Sequence, residues 1–283
     1  MIAFLGHIIN REFCVIEVMR KKNIQFRQQG IPDVKDLKAI VCLRLILSAA
    51  VILIFIEQLI LNEIQGCIIC FLVLLLFCVP SFIERHWNLE IPDALESVVL
   101  LFVFSSVILG EIVCCYQRIP IWDSLLHLTA GFISAAIGFS LFDILNRSEV
   151  IKIKLSPLFL AIMAFCFSMT IGVIWEFFEY FMDTLFNLDM QKDTIVHTIN
   201  TVSLDVTVSN KVVSIENIQS VYINGRNLSL GGYLDIGLVD TMKDLFVNFV
   251  GALAFSFIGF FYAKGRCRFA RAFILKMKED SNN

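Results

Sequence analysis

Three acidic side chains, Glu176, Glu179 and Asp183, stand inside the otherwise apolar run GVIWEFFEYFMDTLF at residues 172–186. At about 100° per helical residue they fall within about 60° of arc, on one face shared with Gly172. Two more segments repeat this pattern. DTMKDLFVNFVGAL places Asp240, Asp244, Asn248 and Gly251 on one face, and WDSLLHLTAG carries Asp123 and His127 at i, i+4, so that pair leaves its helix in one direction.

Carboxylate oxygens with one imidazole suit a divalent cation. Mg²⁺, Mn²⁺ or Ca²⁺ fit such a set, with Zn²⁺ or Fe²⁺ as alternatives. The candidate ligands are Asp123, His127, Glu176, Glu179, Asp183, Asp240, Asp244 and Asn248. The same groups can move protons, and His127, Glu176, Glu179 and Asp244 are the candidates for catalysis. Each has an ordinary reading as well. Asp240 could cap a helix, Asp183 could be a solvated end residue, and His127 could be a hydrogen-bonded core histidine. No G-x-S-x-G elbow or P-loop is present, which leaves metal-assisted or acid–base chemistry as the active reading.

The elements that carry these residues read as membrane helices. The chain is 58% hydrophobic and only 17% charged, with 27 Phe and 5 Pro; an average soluble domain is about 25% charged. Six stretches, at 38–61, 66–83, 94–116, 122–145, 156–186 and 242–263, are long enough to cross about 30 Å of hydrocarbon. The expected organisation is an N-terminal segment 1–37, five helices within 38–186, a cap at 187–241, a sixth helix at 242–263 and a basic tail at 264–283. The cap is rich in β-branched residues and Gly, and Asn224-Gly225 between SVYI and RNLSL predicts a β-hairpin. The expected fold class is therefore an all-α polytopic membrane protein with a small hairpin-containing loop.

Lys and Arg set the expected orientation. They concentrate in the two terminal segments and in the loops after the second and fourth helices. That places both termini in the cytoplasm and the cap outside a bacterial plasma membrane. The fourth and sixth helices then enter from outside and the fifth leaves there, so their polar residues share one depth in the outer leaflet, together with Glu111. An ionised group near a helix centre costs roughly 2.5–3.5 kcal/mol, so several of these are expected to face the interior and be compensated. The net charge of −3 gives no reason to expect a nucleic-acid partner. Seven of the nine cysteines lie in apolar runs and read as small core residues. MIAFLGHII is followed, not preceded, by its basic residues, unlike a signal peptide. MRKKNIQFRQQG reads as a natural start at Met19, with residues 1–18 as a mobile or interfacial extension.

Four blocks together, FCVPSFIERHWNLEIP, LGEIVCCYQRIPIWDSLLHLTAGF, GVIWEFFEYFMD and GYLDIGLVDTMKDLFVNFVGAL, resemble the YjdF-like family of predicted bacterial inner-membrane proteins over roughly residues 75–264. The resemblance implies the fold and brings no activity with it. A more distant similarity is to VanZ-like proteins, linked to glycopeptide-antibiotic tolerance. Asp123 and His127 match their D-x-x-x-H element, and Asp244, Asn248 and Gly251 match D-x-x-x-N-x-x-G. Glu179 stands where those proteins carry Gln.

The expected function is an outer-leaflet acidic site that binds or acts on a lipid or cell-envelope molecule with a divalent metal. A cation- or proton-coupled transporter and a non-catalytic envelope scaffold are the alternatives.

Overall fold

The apolar runs form helices. The computed structural model describes residues 34–147 and 154–278; the extension expected at 1–18 lies outside the described residues. Contacts divide the chain into two units, Met1–Leu45 and Ile46–Asn283. The described part of the first is the opening of helix α1 (Val34–Ile60). All packing described below lies within the second.

Among the described residues six helical stretches are long and apolar enough to cross a membrane: Ala39–Ile60, Ile64–His86, Asp93–Ile112, Trp122–Arg147, Pro157–Phe186 and Leu238–Ala263. Leu61–Glu63, with Asn62 at φ 61°, turns α1 into α2 (Ile64–Leu76). The second span breaks at Phe77–Cys78 and resumes as α3 (Val79–His86), with Pro80 in its first turn. Proline has no N–H to donate there, which a first turn does not need. After strand β1 (Leu89–Glu90), the third span is α4 (Asp93–Val103) continued by a π-helical segment, Phe104–Ile112. Cys114 at φ 60° reverses the chain into the short α5 (Cys115–Arg118). Gly110 has no side chain to hold off the Tyr116 ring, which lies directly on it.

The fourth, fifth and sixth spans are α6 (Trp122–Arg147), α7 (Pro157–Phe186) and α8 (Leu238–Ala263). Each packs against the other two, and together they form the centre of the bundle. Small residues make the approach close. A Cβ on Gly251 would overlap the Leu128 carbonyl, and one on Gly131 would overlap the Asn248 carbonyl. Ser168 Oγ donates across the interface to the Gly131 carbonyl at 2.8 Å. Small residues and such hydroxyl bonds hold membrane helices together, because lipid supplies no hydrophobic drive between them. Below this level Ala135, Ala136, Phe139, Leu160, Ala164, Ala252 and Phe255 form the apolar core. The opposite faces, with Phe177, Phe181, Leu253 and Phe257 exposed, suit contact with lipid.

Between α7 and α8 the cap is built from short antiparallel pairs. β2 (Ile195–Val196) pairs with β7 (Tyr233–Leu234), β3 (Ile199–Thr201) with β4 (Val213–Ile215), and β5 (Tyr222–Ile223) with β6 (Arg226–Asn227). The last is the hairpin expected at Asn224-Gly225, whose φ values are 51° and 80°. α8 starts four residues before the expected position 242. Asp235 accepts from Val239 N–H at 2.7 Å and from Gly237 N–H at 3.3 Å, which satisfies N–H groups at the start of the helix.

Candidate functional site

α6 begins at the cap end, α7 finishes there and α8 begins there. This alternation brings side chains from three helices to one level. His127 Nε2 lies 3.7 Å from Asp123 Oδ1 and 3.8 Å from Asp244 Oδ2. His127 Nδ1 lies 3.9 Å from Glu176 Oε1. One ligand atom from each of Asp123, His127 and Asp244 lies within 4.8 Å of the others. Asp244 is 1% exposed and Glu176 5%. Asp244 Oδ1 and Glu176 Oε2 are both buried without a hydrogen-bond partner. So is Trp122 Nε1, on the residue next to Asp123.

These spacings are too long for hydrogen bonds. The two spacings at Nε2 approach the separation of about 3.4 Å between ligand atoms that lie about 2.0–2.1 Å from a tetrahedral metal, while the 4.8 Å spread of the three ligand atoms means that the side chains would have to close on a shared ion. The imidazole also has a distinct partner on each nitrogen. Nε2 faces the two aspartates, and Nδ1 faces Glu176. A carboxylate behind a histidine ligand is the usual way to fix its tautomer and ring orientation.

The other expected site residues are placed differently. Glu179 is buried one turn along α7, and its Oε1 accepts the Trp175 indole N–H at 2.8 Å. Asp183 accepts from Met190 N–H at 2.6 Å and from Gln191 N–H at 2.8 Å. Asp240 accepts from Lys192 N–H at 2.8 Å, and its Oδ1 lies 3.8 Å from Lys243 Nζ. Gln191 Nε2 donates to Thr241 Oγ1 at 2.6 Å. Asp183 and Asp240 thus tie residues 190–192 across the ends of α7 and α8, and Gln191 and Thr241 of that tie also interact with Glu176 of the histidine cluster. Asn248 is buried one turn below Asp244, against Gly131 and Gly172, with Nδ2 3.6 Å from Met169 Sδ. It floors the cluster.

Tyr116 is a neighbour that its sequence context does not advertise. Burial, and then the charges of Asp123, Glu111, Glu179 and Asp244, push its hydroxyl well above the ordinary tyrosine value.

The match of the chain to known proteins covers this whole region. Residues 39–265 match the family described as "Predicted membrane protein (DUF2238)". The chain belongs to this family. That agrees with the resemblance drawn from the four motif blocks, and Asp123, His127, Glu176 and Asp244 all lie inside the matched stretch. An "Uncharacterized protein" of Thermotoga maritima is 26% identical over 106 residues, which are 38% of this chain and 53% of that protein. The chain therefore spans about half the length of that relative. No solved structure matches. This family member is a multi-pass membrane protein with six candidate spans among its described residues.

Proposed function

We propose that Asp123, His127 and Asp244 hold a divalent cation at the cap end of the bundle, and that the site binds or acts on a lipid or cell-envelope molecule at the outer leaflet of a bacterial plasma membrane. The observation that carries this reading is the pair of buried, unpartnered oxygens, Asp244 Oδ1 and Glu176 Oε2, beside a single imidazole. A buried carboxylate left without a partner is strongly unfavourable. A cation would supply the missing charge and use the spacing already present.

Two aspartates and a histidine suit Zn²⁺, Mn²⁺ or Fe²⁺ better than the all-oxygen shells typical of Mg²⁺ and Ca²⁺. With three protein ligands the ion keeps an open position, where it can polarise a carbonyl or phosphoryl oxygen or acidify a bound water. Glu176 faces Nδ1 at 3.9 Å and would orient His127 on closing to hydrogen-bond distance. Glu179, one turn along α7, holds the Trp175 indole beside Glu176. The cluster lies between membrane spans, which favours a substrate that arrives from the bilayer or from under the cap.

A through-membrane route has less support. Below the cluster the helices close on Gly131, Asn248 and Gly251, and then on Phe139 and Phe255, both at 0% exposure. Among the described residues of these three helices the buried polar groups beyond that level are Ser140, Asp143 and Ser256, with Ser168 beside Gly131; Ser140 and Ser168 donate to backbone carbonyls and Asp143 pairs with Arg147.

The test is metal analysis of detergent-purified protein by mass spectrometry, paired with incubation of that protein with bacterial lipid extract. Wild type should carry a transition metal and bind or convert a lipid fraction. Asp244→Ala should lose the metal, and Glu176→Gln should keep the fold and lose the lipid effect. Absence of metal after supplementation would remove the cation. Metal without a lipid effect would leave a structural cation site in an envelope scaffold.

A further inference from the structure

The opposite end of the bundle carries a second surface. α8 ends at Ala263, and Gly265 at φ 70° turns the chain back. A single 3₁₀ turn, Phe269–Ala272, follows. Ala270, Ile274 and Leu275 are then buried, with Ala270 and Ile274 in the same cluster as Ala135, Phe139 and Phe255. Leu275 N–H donates to Ser140 Oγ at 2.9 Å. Strand β8 (Lys276–Met277) pairs antiparallel with β1, with Lys276 opposite Glu90. Lys278 adds two bonds to the α3–β1 region, N–H to the Asn88 carbonyl at 2.9 Å and Nζ to the Glu84 carbonyl at 3.0 Å. The basic tail expected at 264–283 is, over 264–278, a docked part of the fold.

Ala270, Ile274 and Leu275 turn inward, and the basic side chains of the segment turn out. Arg266, Arg268, Arg271 and Lys276 are all exposed, and the β1–β8 pair brings exposed Arg85 of α3 to the same end. Arg268, just before the 3₁₀ turn, and Arg271 within it stand at i, i+3, a spacing that stacks side chains on one side. Among the described residues no ion pair joins an acid to these basic residues. Glu84 Oε1 accepts Ile91 N–H at 2.9 Å, Asp143 pairs with Arg147 at 2.9 Å, and Glu96 is buried. Only Glu90 among these four is exposed. Phe82, Trp87 and Phe269 stand exposed at the same end, at 59%, 58% and 59%.

We propose that this face binds the anionic headgroups of phospholipids. It sits where the spans end, so it meets the headgroup layer of any bilayer the helices cross. Arginine forks match phosphate oxygens in paired hydrogen bonds, and exposed Trp and Phe fit the interfacial zone beside them. The net charge of −3 means that the patch is a local concentration, not overall basicity. Docking of the segment in advance also removes the ordering cost that a loose basic tail would meet on binding.

Native mass spectrometry of the detergent-purified full chain tests this, with phosphatidylglycerol, cardiolipin and phosphatidylcholine added in turn. Wild type should retain the two anionic lipids over phosphatidylcholine. Arg266→Gln/Arg268→Gln/Arg271→Gln should lose that preference by about tenfold or more, while the three Arg→Lys changes keep most of it and show that the fold survives. The control Lys211→Gln/Arg226→Gln in the cap should change nothing. Equal retention of all three lipids by wild type would overturn the proposal. So would an unchanged Arg→Gln variant, or complete displacement of the lipid by inorganic phosphate at equal concentration.

Discussion

Asp244 has almost no access to water and one oxygen without a partner, so its charge is the feature that most needs an explanation. Asn has the same shape and no charge. In the absence of metal, Asp244→Asn should therefore unfold at the same temperature as wild type or higher, because a buried charge has been removed. With metal the order should reverse. Cation at about 100 times its dissociation constant stabilises wild type by about 2.7 kcal/mol, which is about 5 °C or more in melting temperature, and the variant should gain nothing. Thermal unfolding with EDTA and then with Zn²⁺ or Mn²⁺ checks both halves. Tyr116 gives an independent readout. Its hydroxyl is raised by burial and by four carboxylates, so its phenolate should appear only well above the ordinary range near pH 10. The sign follows: a raised folded value means that stability falls as pH climbs past the ordinary tyrosine value toward the folded one. A bound cation offsets the carboxylate charges, so metal should shift the phenolate transition back toward lower pH. Tyr116→Phe identifies the signal, and a transition that ignores metal would place the ion elsewhere.

At the scale of elements, the sequence resolves direction better than partnership. Helical spacing puts Glu176, Glu179 and Asp183 on one face of α7, and all three do turn from the outward aromatic face. Each then meets something different. Glu176 reaches His127, Glu179 takes the Trp175 indole, and Asp183 receives backbone N–H groups from residues 190 and 191. Spacing along one helix fixes an azimuth and says nothing of the loop that folds back after it. The π-helical end of the third span was hidden for a related reason, since FSSVILGEI is apolar at either pitch. The contrast between Asp183 and Glu176 can be measured. Asp183→Ala should cost about 1–3 kcal/mol through two orphaned N–H groups and should expose residues 187–194 to protease, with metal content unchanged. Glu176→Gln should leave proteolysis of that loop as it is. Proteolysis of the two variants side by side, with metal analysis of each, decides whether the strap and the cluster are separate devices.

For the whole molecule, the six spans were legible because runs of apolar residues of membrane-crossing length need no partner to be recognised. The docking of residues 266–278 was not, since Ala270, Ile274 and Leu275 are spread through a segment whose charge dominates its composition. The consequence is a bundle closed at both ends by different means, with acids and a histidine under the cap and an apolar plug with a two-residue strand pair at the tail. The two ends should be energetically independent. His127 and Ser140 are 13 residues apart on α6, about 20 Å along the axis, well beyond the about 7–10 Å over which substitutions usually couple. Ile274, 1% exposed, should cost about 2–5 kcal/mol on truncation to Ala. In Ile274→Ala the melting temperature should fall by about 4 °C or more, while the shift produced by metal stays that of wild type. Combined with Asp244→Asn, the two effects should add to within about 0.5 kcal/mol. A larger coupling in unfolding measurements of the single and double variants would show that the tail reaches the cluster through α6 and α8, and that the two closures act as one.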